Sequence, residues 1–208
     1  MDPSAVDSLS PLRAGKRAAI LEGARAVFLR EGFGGSNMDE VAQAAGVGKQ
    51  TVYRHFGTKE ALFESLLGEM CAGLFQPLAP EGRSLRDALR AIGESHVRTM
   101  TAPANLALLR IVVAEAERFP GLARRFHAAG ATAPTTYVAA ILLRETGISD
   151  SRAEELAATF LEMVKGPAFL RLLLGAAPSS WNESFERQIG EAVAYVSGQL
   201  PARSPAAR

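Results

Sequence analysis

Cysteine is almost missing from these 208 residues: Cys71 stands alone, which excludes an intrachain disulfide and any zinc site built on several thiolates. Histidine is nearly as scarce. His55, His96 and His127 lie far apart, without the spacing of a metal-binding pair on one helix, so no metal and no cofactor are expected. No apolar run reaches the ~18 residues that a membrane span needs, and Met1-Asp2-Pro3-Ser4 lacks the basic and apolar regions of a signal peptide. The expectation is a cytoplasmic protein without a membrane partner. Alternating strand segments bounded by hairpin turns are absent as well, which leaves an all-α fold. No nucleophile, base and orienting group stand in a recognisable set, so an enzyme ranks last among the function classes.

What is present is unevenly spread. The net charge is only +1, yet Arg13 to Lys59 holds eight basic residues (Arg13, Lys16, Arg17, Arg25, Arg30, Lys49, Arg54, Lys59) against four acidic ones (Glu22, Glu31, Asp39, Glu40). That segment carries +4, and the rest of the chain −3. A basic module on a neutral protein suits nucleic acid, because neutralising phosphates supplies most non-specific affinity; a solvated helix surface would look the same by charge alone.

Helical periodicity decides between them. Ile20, Leu21, Ala24, Val27 and Phe28 share one face of a helix over Pro11 to Glu31, which Gly32 should end. Asn37 and Glu40 then have capping-box spacing for a short helix through Ala45. Gly46 should supply the positive φ of a tight turn plugged by Val47, and Gly48 or Lys49 opens another short helix ending near Phe56. Two short helices joined by a tight glycine turn make a helix-turn-helix. With Val52 and Phe56 packed inward, Gln50, Thr51, Arg54 and His55 fall on other faces. An amide, a hydroxyl with a methyl, and cations are the groups a major-groove reader needs. Thr58 should cap the next helix. Gly46-Val47-Gly48-Lys49-Gln50-Thr51 superficially matches a phosphate-binding loop, but Gln50 separates Lys49 from Thr51 and no strand precedes it, so a nucleotide site is rejected.

These same residues carry a resemblance. Gly32-Phe33, Met38-Asp39-Glu40-Val41-Ala42, Ala45 to Phe56 and Lys59-Glu60-Ala61-Leu62-Phe63 resemble, at their spacing, the N-terminal domain of the TetR/AcrR family. Gly48 departs from it, standing where the family often has a serine or threonine cap. The resemblance implies phosphate contacts from Thr51, Tyr53, His55 and Lys59 and base reading by Lys49, Gln50 and Arg54; Asn37 joins this DNA-binding set. It also implies a three-helix DNA-binding domain over 13–73, between an N-terminal arm over 1–12 and a ligand-sensing and dimerising domain over 74–200, with a tail over 201–208 and about nine helices in all. Val112 to Pro120 is similar, more weakly, to the C-terminal domain of one branch of the family, the AcrR/AefR-like one.

The body is read from its apolar stripes. Leu62, Phe63, Leu66, Leu67, Met70, Leu74 and Phe75 run until Pro77, Ser84 with Asp87 opens another helix, and Leu106 to Glu117 is apolar nearly all round, as in a central buried helix. Candidate ligand-site residues are Leu66, Met70, Leu74, Ile92, His96, Met100, Leu109, Val113, Phe126, Tyr137, Phe160 and Met163, although Met and aromatics at helical spacing also build plain cores. Leu156, Phe160, Val164, Phe185, Ile189, Val193 and Val196, on helices over Asp150–Gly175 and Trp181–Gln199, are the candidate dimer interface, with a kink at Gly166-Pro167. The expected partners are a palindromic double-stranded operator, a second copy of the chain and an unknown small-molecule effector. The alternative is a regulator with a filled core and no inducer.

Overall fold

The structure, a computed structural model, describes residues 11–72, 84–176 and 183–201. These residues form ten α-helices and no strand, in the order α1 (Pro11–Gly35), α2 (Met38–Ala44), α3 (Lys49–Phe56), α4 (Lys59–Ala72), α5 (Leu85–Thr101), α6 (Pro103–Glu115), α7 (Pro120–His127), α8 (Ala133–Thr146), α9 (Asp150–Leu173) and α10 (Glu183–Gly198). The all-α expectation holds. The count exceeds nine because the chain between α6 and α8 is cut twice. Pro120 opens α7 after a break, and a π-helical turn over Ala128–Thr132 precedes α8. Pro134 follows that turn. It has no N–H for the carbonyl four residues back, which loosens the α-helical ladder there. Leu74, Phe75, Pro77 and Trp181, named above on sequence grounds, lie outside the described residues, as do 1–10 and 202–208.

The local expectations in the first four helices are met closely. Ile20, Leu21, Ala24, Val27 and Phe28 are all buried. The helix breaks at Gly32 and adds one further turn. Asn37 Oδ1 accepts from the backbone N–H groups of Asp39 and Glu40 at 3.0 and 2.9 Å, whereas Glu40 Oε2 has no hydrogen-bond partner. Gly46 takes φ 64° in the turn between α2 and α3, a conformation that side chains with a Cβ rarely adopt. Thr58 Oγ1 caps α4 by accepting from Ala61 N at 3.1 Å.

Two cores result. In the first, Phe63 meets Phe28 and Phe33 edge-on at 5.0 and 5.2 Å, and Phe33 meets Phe119 at 4.9 Å. Each buried phenyl contributes roughly 1.5–3 kcal/mol by leaving water, and edge-to-face geometry adds to that. Leu108 and Val112 from α6 and Leu122 from α7 complete this core, so the body's own helices support the N-terminal unit. The second core joins α5, α8, α9 and α10. Gly93 lets α5 approach closely: a Cβ there would lie 3.2 Å from Ile189 and 3.3 Å from Phe160 and Val164. α9 and α10 run antiparallel, with Arg152 donating to Gln199 Oε1 at 2.9 Å near one end and Gly166 against Gln188 further along. The expected kink is there, Gly166 taking φ 49° and ψ −165° ahead of Pro167.

Candidate nucleic-acid interface and body cavity

The helix that should read DNA owes its position to two anchors. Val52 is fully buried, and Gly57 N closes the far end on Tyr53 O at 2.8 Å. Lys49, Gln50, Tyr53 and Arg54 are left exposed, and Thr51 and His55 half-buried. Beneath this helix, α1 touches α2 through Gly23, where a Cβ would sit 2.8 Å from Ala45 N. Any side chain there would push the turn, and α3 with it, outward.

The exposed groups are not equivalent. Lys49 Nζ is 2.8 Å from Asp39 Oδ1 and 5.9 Å from the centre of the Tyr53 ring; the hydrogen bond and charge of Asp39 raise its pKa. Such an exposed pair is easily exchanged for another anion. His55 titrates below its ordinary range because it is partly desolvated and because Arg54, Arg13, Arg17 and Lys16 gather around it. Its Nε2 lacks a hydrogen-bond partner. The N-terminal turns of α1 thus bring their cations beside the end of α3, a juxtaposition that only the fold reveals. Asn37 is exposed, with its Oδ1 engaged in the cap. Lys59 has partners within the chain that its sequence position does not suggest. Its ammonium donates to Phe33 O at 2.6 Å and Ser36 O at 2.8 Å and lies 4.7 Å from the Phe33 ring centre. It therefore clasps the end of α1 to α4, because two carbonyls and an aromatic face hold a cation better than open solvent holds its long side chain.

The body holds a cavity of about 710 Å³ between α5, α6, α7, the π-helical turn, α8 and α9. Of the candidate ligand residues, His96, Met100, Leu109 and Phe126 line it. The others fall elsewhere. Leu66 is buried in the first core and Ile92 and Phe160 in the second; Tyr137 and Met163 pack against that second core. Val113 is 60% exposed although Leu106 and Leu109 on the same face are buried, so α6 is not buried along its whole length. The Met70 side chain and Leu74 lie outside the described residues. Sequence reasoning missed Thr99, Asn105, Thr135, Thr136 and Lys165 on the cavity wall, since polar residues on an amphipathic helix look solvent-facing until a void is placed beside them. His96 is buried, and burial, with a smaller contribution from Lys165, lowers its pKa to about 4.

A helix-turn-helix on a cavity-bearing helical body is now in view, and similarity to known proteins bears on both halves. Residues 20–66 match the family of bacterial regulatory proteins, tetR family, and residues 87–197 match the AefR-like transcriptional repressor C-terminal domain. The chain belongs to the TetR family of bacterial transcriptional regulators. It is 35% identical over 66 residues to the HTH-type transcriptional repressor AcnR of Corynebacterium efficiens, covering 32% of this chain and 35% of that protein. The chain thus spans about a third of the length of that curated relative. Among solved structures it is similar to the flavonoid-responsive regulator FrrA, at 31% identity and a TM-score of 0.74, covering 91% of this chain and 98% of the other. A TetR-family regulator from Mesorhizobium loti shares the fold, at 23% identity and a TM-score of 0.75, covering 91% and 98%.

Within this TetR-family fold, the seven residues expected at a dimer interface are inside the subunit. Leu156, Phe160, Val164, Phe185, Ile189, Val193 and Val196 are each at most 2% exposed. The apolar stripe of each helix was legible, but a long helix buries its strongest stripe against its own chain first. The outward apolar residues on α9 and α10 are Leu170, Leu174 and Tyr195, at 56%, 72% and 46% exposure, Leu174 standing at the C-cap of α9. Between the two halves, Gly34 N donates to Glu115 Oε1 at 2.9 Å, and Arg125 on α7 pairs with Glu64 on α4.

Proposed function

We propose that this chain is a cytoplasmic, homodimeric repressor that holds a palindromic operator through α3 and releases it when a small apolar or amphipathic molecule enters the body cavity. One pairing of features supports the reading most. α3 presents Gln50, Tyr53 and Arg54 to solvent from a rigid base, and the cavity wall includes Phe126 of α7, a helix that packs on α4 directly behind the helix-turn-helix.

Each exposed group has a role that suits its chemistry. Gln50 can pair bidentately with adenine, Lys49 and Arg54 with guanine, and Thr51, Tyr53 and His55 with phosphates. Lys49 exchanges Asp39 for DNA as it does so. Lys59 acts from behind, fixing the loop rather than touching DNA. A single short helix reads too few base pairs for useful specificity, and two copies read a palindrome. The dimer forms through the outward sides of α9 and α10, with Leu170, Leu174 and Tyr195 as apolar contacts. The coupling between cavity and DNA runs through α6 and α7, which pack on α1 and α4, and amounts to about 1–3 kcal/mol, reciprocally. The cavity favours this reading over a regulator with a filled core. FrrA responds to flavonoids by its name, which makes multi-ring aromatic molecules the first effectors to try.

The deciding experiment selects bound sequences from random duplex DNA, then follows binding by fluorescence anisotropy across salt concentrations. Gln50→Ala should relax preference at one base pair per half-site, at a cost of ~1–3 kcal/mol; an unaltered preference profile would remove Gln50 from base reading. Leu170→Arg with Leu174→Arg should give helical monomers in sedimentation, and an unchanged dimer would move the interface elsewhere.

A further inference from the structure

The cavity wall carries a polar side chain that the fold itself leaves unused. His96 is 4% exposed and lines the cavity, yet its Nε2 has no hydrogen-bond partner. Further along the same helix, the buried Thr101 hydroxyl is satisfied by Val97 O at 2.8 Å. Buried polar atoms are rarely left without a partner, because each forgoes the hydrogen bonds that water gave it. The pull of burial and of Lys165 keeps the ring uncharged near neutral pH. A neutral imidazole has one N–H donor and one acceptor, so it matches a hydroxyl in either sense.

The other groups at the wall narrow the choice. Met100, Leu109, Phe126 and Phe169 offer apolar and aromatic surface, which sulfur and ring faces pack well against flat ligands. Lys165 is held by Glu162 at 2.6 Å, and Glu154 and Glu162 stand on the same wall, so an anionic ligand would have to break that pair, face two carboxylates and lose its own hydration. At about 710 Å³ the cavity is within the range of drug-sized sites.

We infer that the cavity selects uncharged aromatic molecules of two or three rings that carry a hydroxyl, and that the buried imidazole of His96 makes the hydrogen bond to that hydroxyl. This rests on the proposal that the cavity is the effector site.

The test is calorimetric titration of the full chain with three probes: flavone, a flavone with one hydroxyl on its pendant ring, and the corresponding carboxylic acid. The hydroxylated probe should bind wild type about tenfold or more tightly than flavone, and more tightly than the acid. His96→Phe, which keeps a flat ring but no hydrogen-bonding atom, should bind flavone and its hydroxylated form alike. His96→Asn, which restores a polar group, should recover part of the preference. Should wild type bind flavone and hydroxyflavone equally, the hydroxyl contact is overturned while the effector site stands. A preference for the acid overturns the choice of an uncharged ligand. Failure of all three probes to bind overturns this inference, while the effector site itself falls only if a screen of other apolar and amphipathic compounds also leaves the thermal stability of the chain unchanged. The comparison on wild type decides the matter even if His96→Phe does not fold.

Discussion

The first core is knit by aromatic rings in contact and the second has a void beside it, and the contrast suits the roles proposed for the two halves. Around Phe63 the rings of Phe28 and Phe33 close at 5.0 and 5.2 Å, so the base of α3 has one arrangement. Beside the second core, α5 to α9 leave about 710 Å³ open. Packed interiors transmit displacement rather than absorbing it, and a lined void lets helices shift when something enters. On the proposed function, a rigid reader beside a compliant sensor would turn occupancy into a change of DNA geometry. The joint between them is specific: Leu108, Val112 and Leu122 belong to the sensor's helices but sit in the reader's core.

The largest effect that would sharpen or erase this contrast is a truncation on each side. Phe63→Ala opens a hole in a filled core and should cost about 3–5 kcal/mol. Met100→Ala enlarges a void that already exists, loses few packing partners, and should cost under about 1.5 kcal/mol. Urea unfolding followed by circular dichroism gives both numbers, and equal costs would mean that the cavity wall is as tightly packed as the reader.

Next in size is the response to acid. His96 has its folded pKa lowered to about 4 from an ordinary 6.5, so below pH 6.5 the unfolded chain takes up a proton that the folded chain resists. Stability contributed by this group is therefore complete above about pH 6.5 and lost as pH falls toward 4, by roughly 3 kcal/mol in all. The carboxylates titrate in the same range, so the informative quantity is the difference from His96→Phe. The variant should lose less stability than wild type between pH 7 and pH 4, and parallel curves would show that the imidazole is hydrated in the folded state.

The reader was legible in the sequence to nearly every turn, and the sensor only in outline. Asn37, Gly46, Val52 and Thr58 each have a local reason for their place, a cap, a turn or an inward face, and local reasons are written in short stretches of chain. The hold of Lys59 on Phe33 and Ser36 was not legible, because the fold brings those partners to it. The same holds more widely in the body. Val113 and Leu109 stand four apart on one helix and looked alike, yet Val113 is 60% and Leu109 9% exposed. Which stripe faces a void, which faces the core and which faces a second copy depends on how α5 to α10 are arranged, and periodicity carries no information about that.

A smaller effect concerns the joint. Glu115 Oε1 accepts from Gly34 N at 2.9 Å, linking the end of α6 to the last turn of α1, which leads into α2. Glu115→Ala removes a charge-assisted bond at a partly buried position and should cost about 1–2 kcal/mol. Its sharper signature is functional. Operator affinity in the absence of effector should change less than the factor by which effector weakens it, since the bond transmits the shift more than it shapes α3. If the effector's factor survived Glu115→Ala intact, transmission would rest on α7 and its Arg125–Glu64 pair.

The smallest effect separates the two helices of the reader from each other. The α2 helix begins at Asn37, whose side chain caps it; α3 begins at Gly48, with no side-chain cap. Gly48 has φ −70° and ψ 146°, ordinary extended backbone for any residue, and a Cβ added there would meet nothing within 4 Å. Gly48→Ser should therefore be accommodated without strain. The serine hydroxyl can accept from an amide in the first turn of α3, worth a few tenths of a kcal/mol over glycine, and the unfolded chain loses some of its freedom, worth ~0.4–1 kcal/mol more. The opposite change at the other helix, Asn37→Ala, should cost ~1 kcal/mol. Thermal unfolding should place the two variants on opposite sides of wild type. The serine would also compete for a first-turn amide at the end of α3 expected to face DNA, so operator affinity should fall slightly even as stability rises. A gain in both would mean that the first turn of α3 makes no backbone contact to phosphate, and that Gly48 serves only to keep the turn open.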